Sequence, residues 1–166
     1  MDNRSDAEIR ADLSYLFDKA SQVLTARMNT ALAELGITPR GYCVLSKALP
    51  GDLTQGELAE IALLDKTTMV VTMDNLEQAG LARRLPSPTD RRARIVRTTD
   101  EGRAVVEKAR TIIDGVYAEV LGVLPDPQRE TLLDALVALV GRDGPLRVGE
   151  PAPEGMRRTR RSSRAG

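Results

Sequence analysis

Apolar residues recur every three or four positions from Ile9 through Leu13, Leu16, Phe17, Ala20, Leu24, Met28 and Ala31 to Leu35, the period of an amphipathic helix. Neither Pro nor Gly interrupts residues 6 to 34, so the pattern predicts one long helix closed by Gly36. A helix of that length exceeds what a small core needs and is expected to serve an interface as well. Thr38 and Pro39 open a second helix, with Tyr42, Val44, Leu45, Ala48 and Leu49 on one face, and Pro50-Gly51 stops it.

Thr54-Gln55-Gly56-Glu57 has the form of a capping box and starts a short helix through Leu58, Ala59, Ile61 and Ala62. Asp65 then caps a further helix that closes on Gly80. Two short helices so spaced form a helix-turn-helix. In the second of them Met69, Thr72, Met73 and Leu76 share a face, which leaves Lys66, Thr67, Val70, Val71, Asp74 and Asn75 pointing outward. Residues 81–86 and 93–98 favour strand, and the turn formers and paired Arg of SPTDRR between them predict a hairpin with a basic tip. Thr99 caps a long helix carrying Val105, Ala109, Ile112, Ile113, Val116, Val120 and Leu124; Pro125-Asp126-Pro127 breaks it, and a last helix with Leu132, Leu133, Leu136, Leu139 and Val140 ends near Gly141. The fold class is mainly α with a small β-hairpin wing, a winged helix-turn-helix with a helical dimerisation region. One domain is predicted over 6–142, with a DNA-reading lobe at 38–99 and dimerisation helices at 6–35 and 100–142; residues 143–166 read as a disordered basic tail.

Composition sharpens this picture at three points. Only 2% of the 166 residues are aromatic, so the core must be built from Leu, Val, Ile, Ala and Met. Histidine is absent, which excludes His-based catalysis and His-ligated metals; without paired cleft carboxylates or a Gly-rich phosphate loop, no enzyme constellation and no cofactor is predicted. No apolar run reaches membrane-spanning length and Cys43 is the lone cysteine, so a cytoplasmic protein is expected.

The net charge of zero argues against nucleic acid until charge is counted by segment. Residues 81–98 hold six Arg against one Asp, and 151–166 five Arg against one Glu, for +5 and +4, which leaves the remainder at −9. Basic patches on an acidic body still drive phosphate contact, because counterion release depends on charge at the interface. On the Asp65 helix, Thr67 and Thr68 hydroxyls, the Asn75 amide and the methyls of Val70 and Val71 suit base edges in a major groove. Thr54, Gln55, Lys66, Arg84, Asp90, Arg91, Arg92 and Arg94 complete the candidate DNA-contacting set, the tip arginines suiting a minor groove. A helical protein-interaction module would also use two outward Val, but would leave six Arg on one hairpin unexplained.

These same residues carry a family resemblance. DKTT followed by DNLEQAGLARR, then PTDRRARIVRTT and Gly102, resembles the MarR family of bacterial transcriptional regulators over residues 8 to 142, most specifically 54 to 102. Asp90-Arg91-Arg92 matches the family's wing signature; Thr98-Thr99 replaces the usual hydrophobic-Thr pair, which is expected to weaken wing-to-core packing slightly, and Val71 stands where many members carry a DNA-contacting Arg. The resemblance implies a homodimer, interlocked by the first and last two helices, that represses from a pseudo-palindromic operator on double-stranded DNA and responds to a small phenolic or lipophilic effector. Tyr15, Arg27, Met28 and Tyr42 are the candidate ligand-lining residues, with core packing the alternative for each. Redox sensing through Cys43, known for some members, is a further alternative, against which its neighbours Val44 and Leu45 read as core.

Overall fold

The computed structural model describes residues 5–141. In chain order its elements are α1 (Asp6–Ala11), α2 (Leu13–Leu32), a 3-10 turn (Ala33–Leu35), α3 (Pro39–Lys47), α4 (Gln55–Ile61), α5 (Lys66–Gln78), β1 (Ala82–Pro86), β2 (Arg94–Thr98), α6 (Asp100–Leu121) and α7 (Asp126–Val140). Among the described residues, 5–120 belong to one compact unit and 121–141 to a second. The proposed tail, 143–166, lies outside the described residues. Among the described residues no helix is long and apolar enough to cross a membrane.

The single helix expected over 6–34 is two helices. At Asp12 the backbone leaves helical geometry (φ −102°, ψ 79°), and its carboxylate accepts the Tyr15 amide at 3.0 Å to cap α2. A short polar side chain that bonds its own neighbouring backbone offers the chain a way out of the helix, and apolar periodicity, which continues across the break, does not register it. Ser5 caps α1 through a second capping box with Glu8.

The core of the first unit is aliphatic, as the composition requires: Leu32, Val44, Leu45, Leu58, Met73, Val96 and Val106 are all fully buried. Burying each such side chain contributes about 1.5–3 kcal/mol. Helices α3, α4 and α5 supply three sides of this core, Val96 of β2 a fourth, and α6 adds Val106, Ala109 and Ile113 at helical spacing.

Three local closures fix the reading lobe. Thr54 and Glu57 exchange bonds across the first turn of α4, the Thr54 amide donating to Glu57 Oε2 at 2.7 Å and the Glu57 amide to Thr54 Oγ1 at 3.2 Å. Asp65 caps α5 by accepting the Thr68 amide at 2.9 Å and its hydroxyl at 2.6 Å, and these two bonds, the hydroxyl's first, hold its carboxyl below the usual range. At the other end of α5, Gly80 turns left-handed (φ 72°) and the Leu81 amide returns to the Leu76 carbonyl at 2.9 Å. The α4–α5 turn uses the same closure, Leu64 N–H to Ala59 O at 2.8 Å, but puts Leu63 in the left-handed position (φ 55°).

α6 docks on the start of the hairpin through Gly102. Thr99 donates its amide to Leu81 O at 3.0 Å and its hydroxyl to Gly80 O at 2.8 Å, while accepting the Gly102 amide at 3.0 Å. A Cβ on Gly102 would stand 2.1 Å from the Leu81 carbonyl oxygen.

In the second unit, Arg129 donates to the carbonyls of Leu121 and Leu124, each at 3.3 Å, and pairs with Asp126 at 3.1 Å. No residue of α7 is buried, and Leu132, Leu133, Val137 and Val140 are exposed.

Two outcomes follow from this packing. Gly102→Ala is expected to destabilise the fold by about 1–3 kcal/mol, because the obstructing atom is backbone; an unchanged urea midpoint would show that the contact yields freely. Asp65 has a lowered folded pKa, so its contribution is complete above the ordinary carboxylate pKa and is lost as pH falls through the lowered value. The melting temperature of Asp65→Asn should therefore fall less steeply on acidification than that of the parent chain; parallel curves would mean that the cap is not titrating.

Candidate nucleic-acid interface

Helix α5 presents the face its phase predicted. Met69, Thr72, Met73 and Leu76 are buried, and Lys66, Thr67, Val70, Val71, Asp74 and Asn75 are exposed. The two valines do not tuck under the hairpin, being 44% and 54% exposed. Thr68 is half-buried with its hydroxyl committed to the Asp65 carboxylate, which leaves Thr67, Val70, Val71 and Asn75 as the open reading positions.

A concavity flanks this helix on each side. The one toward the wing encloses about 440 Å³, with Thr54, Gln55, Lys66, Val70, Arg92 and Arg94 among its walls. The one toward α2 and α3 encloses about 380 Å³ and includes Thr25, Asn29, Arg40, Thr67, Val71 and Asn75.

The wing is an antiparallel pair in the register Ala82↔Thr98 to Pro86↔Arg94. Val96 donates its amide to Leu53 O at 3.0 Å, and Thr98, 9% exposed, donates its hydroxyl to Leu45 O at 3.4 Å. That bond offsets part of the packing expected to be lost where Thr98 replaces a hydrophobic residue. The loop holds its own shape: Ser87 Oγ accepts the amides of Thr89 and Asp90, each at 3.3 Å, and Asp90 Oδ1 accepts the Arg92 amide at 2.8 Å. Asp90, named among the DNA contacts, thus folds the tip, and its negative charge would repel a phosphate. Arg91 and Arg92 are exposed and form no ion pair among the described residues, while Arg94 lies along the loop against the carbonyls of Arg91 and Ala93 at 3.3 and 3.2 Å.

Arg84 departs from its expected role. Its side chain is only 20% exposed and its guanidinium is used internally. Nε donates to Gln55 Oε1 at 2.8 Å, Nη1 pairs with Glu77 at 2.5 Å and Asp74 at 2.8 Å, and Nη2 donates to Val70 O at 3.1 Å. Its own amide adds a bond to Glu77 Oε1 at 2.6 Å. Arg84 is therefore framework and not a free DNA-facing group, while Gln55 commits its Oε1 to Arg84 and still lines the concavity toward the wing. Strand alternation explains the miss: Arg83, facing Arg97 across the ladder, points out, and the next residue must point in.

The four candidate ligand residues have other surroundings. Met28 and Tyr42 pack against the core, Arg27 pairs with Glu119 of α6, and Tyr15 is half-buried on α2; none lines either concavity. The residues that do, Thr25 and Asn29, are four apart on α2 and so share one polar face, a spacing that sequence reading could have used. Cys43 is half-buried. It lies near Tyr117, whose hydroxyl is pushed up by burial first and then by Tyr42, Asp114 and Cys43.

Comparison with known proteins bears on this arrangement. Residues 35–93 match the family model described as MarR family. The HTH-type transcriptional repressor Rv2887 of Mycobacterium tuberculosis is 31% identical over 120 residues, 72% of this chain and 86% of that protein. Its structure in complex with salicylic acid superposes at a TM-score of 0.64 with 29% identity, covering 77% of this chain and 96% of that one. CouR of Rhodococcus jostii RHA1, bound to p-coumaroyl-CoA, gives 0.65 at 27% identity, over 77% of this chain and 91% of that one. A mutant MarR of E. coli complexed with operator DNA has the same fold, with a TM-score of 0.72 at 24% identity over 82% of this chain and 99% of that one. The wing signature, the helix-turn-helix and these similarities agree, and the chain belongs to the MarR family of transcriptional regulators.

Proposed function

We propose that the protein binds a pseudo-palindromic operator as a homodimer in the bacterial cytoplasm and represses transcription until a small effector lowers its affinity. The observation that carries this reading is the pairing of an open, polar-and-methyl face on α5 with the uncommitted Arg91 and Arg92 of the wing. Thr67 and Asn75 would bond base edges, Val70 and Val71 would meet thymine methyls, Lys66 would take a phosphate, and the tip arginines would enter the adjacent minor groove, while Thr54, whose amide and hydroxyl both donate to Glu57, holds the start of α4.

Exposed apolar side chains support a second copy. Leu13 (64% exposed) and Phe17 (48%) on α2, and in the second unit Leu132, Leu133, Val137 and Val140 on α7, are large apolar side chains left open to a partner. For the effector, the concavity beside α2 and α3 offers one cation, Arg40, among Thr and Asn side chains, with reading positions Thr67, Val71 and Asn75 in its own lining. A small aromatic carboxylate suits that chemistry, and salicylic acid and p-coumaroyl-CoA are what Rv2887 and CouR hold.

Binding to a duplex selected by the protein from a random library tests the reading. Arg92→Ala should weaken binding and make the log–log salt dependence shallower by about 1, whereas Asn75→Ala should change the selected sequence with the salt slope kept. Arg92→Ala equal to the parent chain at every salt concentration would remove the wing from the interface. Salicylate should release the duplex from the parent chain but not from Arg40→Ala; equal release from both would place the effector elsewhere.

A further inference from the structure

The geometry points to Arg84 as a positioning residue for operator binding: its guanidinium brace fixes the wing relative to α5, and so sets the width of the cleft through which one DNA strand passes. This deepens the DNA-binding reading and rests on it. The argument starts from the duplex. Major and minor grooves are separated by a single sugar–phosphate strand, so a protein with its helix in one groove and its wing in the next must straddle that strand. The cleft between α5 and the wing, with Lys66 on one wall and Arg92 and Arg94, offset in part by Asp90, on the other, is the space available for it. Like charges on facing walls push those walls apart when no phosphate lies between them. Something must hold them at the spacing the strand requires.

Arg84 is placed to do so. From β1 it reaches Gln55 on α4 and Val70, Asp74 and Glu77 on α5, so one rigid planar group ties three elements, and two of its partners, Gln55 and Val70, line the cleft. Its amide bond to Glu77 fixes the strand backbone to the same helix. The charges decide between bracing and phosphate contact. One guanidinium facing two carboxylates makes a cluster of net −1, which offers a phosphate no attraction. A Lys could keep the charge but not the fork that serves four partners at once.

The test measures binding of the library-selected duplex to the full chain by fluorescence anisotropy across a salt series. Arg84→Met and Arg84→Lys should each weaken binding about tenfold with the parent salt slope, and in either background Arg92→Ala should cost much less than it does alone, because a wing that has lost its position has little contact left to lose. Glu77→Gln gives the opposing check: removing a negative charge beside a polyanion should tighten binding by electrostatics alone, so weaker binding marks a loss of position. A slope shallower by about 1 in Arg84→Met, rescue by Lys, additive Arg92→Ala or tighter binding by Glu77→Gln would each overturn the proposal. Failure of the parent chain to bind any duplex at low salt would remove the DNA reading itself, and the brace with it.

Discussion

A guanidinium carries five N–H donors in one rigid plane, and a protein that shelters it from water must find acceptors lying in that plane. Around Arg84 they come from two helices, one of them supplying a main-chain oxygen as well as two carboxylates. Such an arrangement constrains everything it touches. The crossing of β1 over α5, the start of α4 and the inward phase of the hairpin all have to be right together, and the hydrophobic contacts of Val96, Met73 and Leu76 hold the same elements from below. Aliphatic packing alone tolerates small slides, since it is non-directional; the ion-pair cluster does not, because its bonds are.

Seen this way, a net charge of zero is compatible with gripping a polyanion because the arginines of the hairpin are divided among distinct tasks. Arg84 is neutralised and internal, Arg91 and Arg92 are bare at the tip, Arg94 is laid along the loop, and Arg83 and Arg97 face each other on the outer side. Bulk composition averages over these differences. What matters to a phosphate is the local field at the tip, screened over roughly 8 Å at physiological salt, and there no carboxylate but Asp90 competes, with an oxygen already committed to the loop.

Much of this was legible in the sequence. Caps read from Thr38, Thr54, Asp65 and Thr99, stops at Gly36 and Gly80, and the buried face Met69, Thr72, Met73, Leu76 are local signals, fixed by side chains a few positions apart, and the structure has each of them. The break at Asp12 was hidden because apolar spacing continues across it. The Arg84 cluster was hidden for a different reason: Gln55 lies 29 positions away from it, and no local pattern reports which of two adjacent arginines turns inward. The same limit applies to the concavity beside α2, which is assembled from α2, α3 and α5 together and which none of Tyr15, Arg27, Met28 and Tyr42 lines.

The reading helix carries few charges, with Lys66 set against Asp74 and Val71 and Val70 at the surface between them. This has a kinetic meaning for target search. On the proposed reading, sequence-independent attraction, which governs encounter and sliding, comes from counterion exchange at the wing, while halting on a correct site depends on methyl and amide fit that needs no ion release. Salt then loosens right and wrong complexes alike, and the preference between them rests on a fit that ionic strength leaves alone.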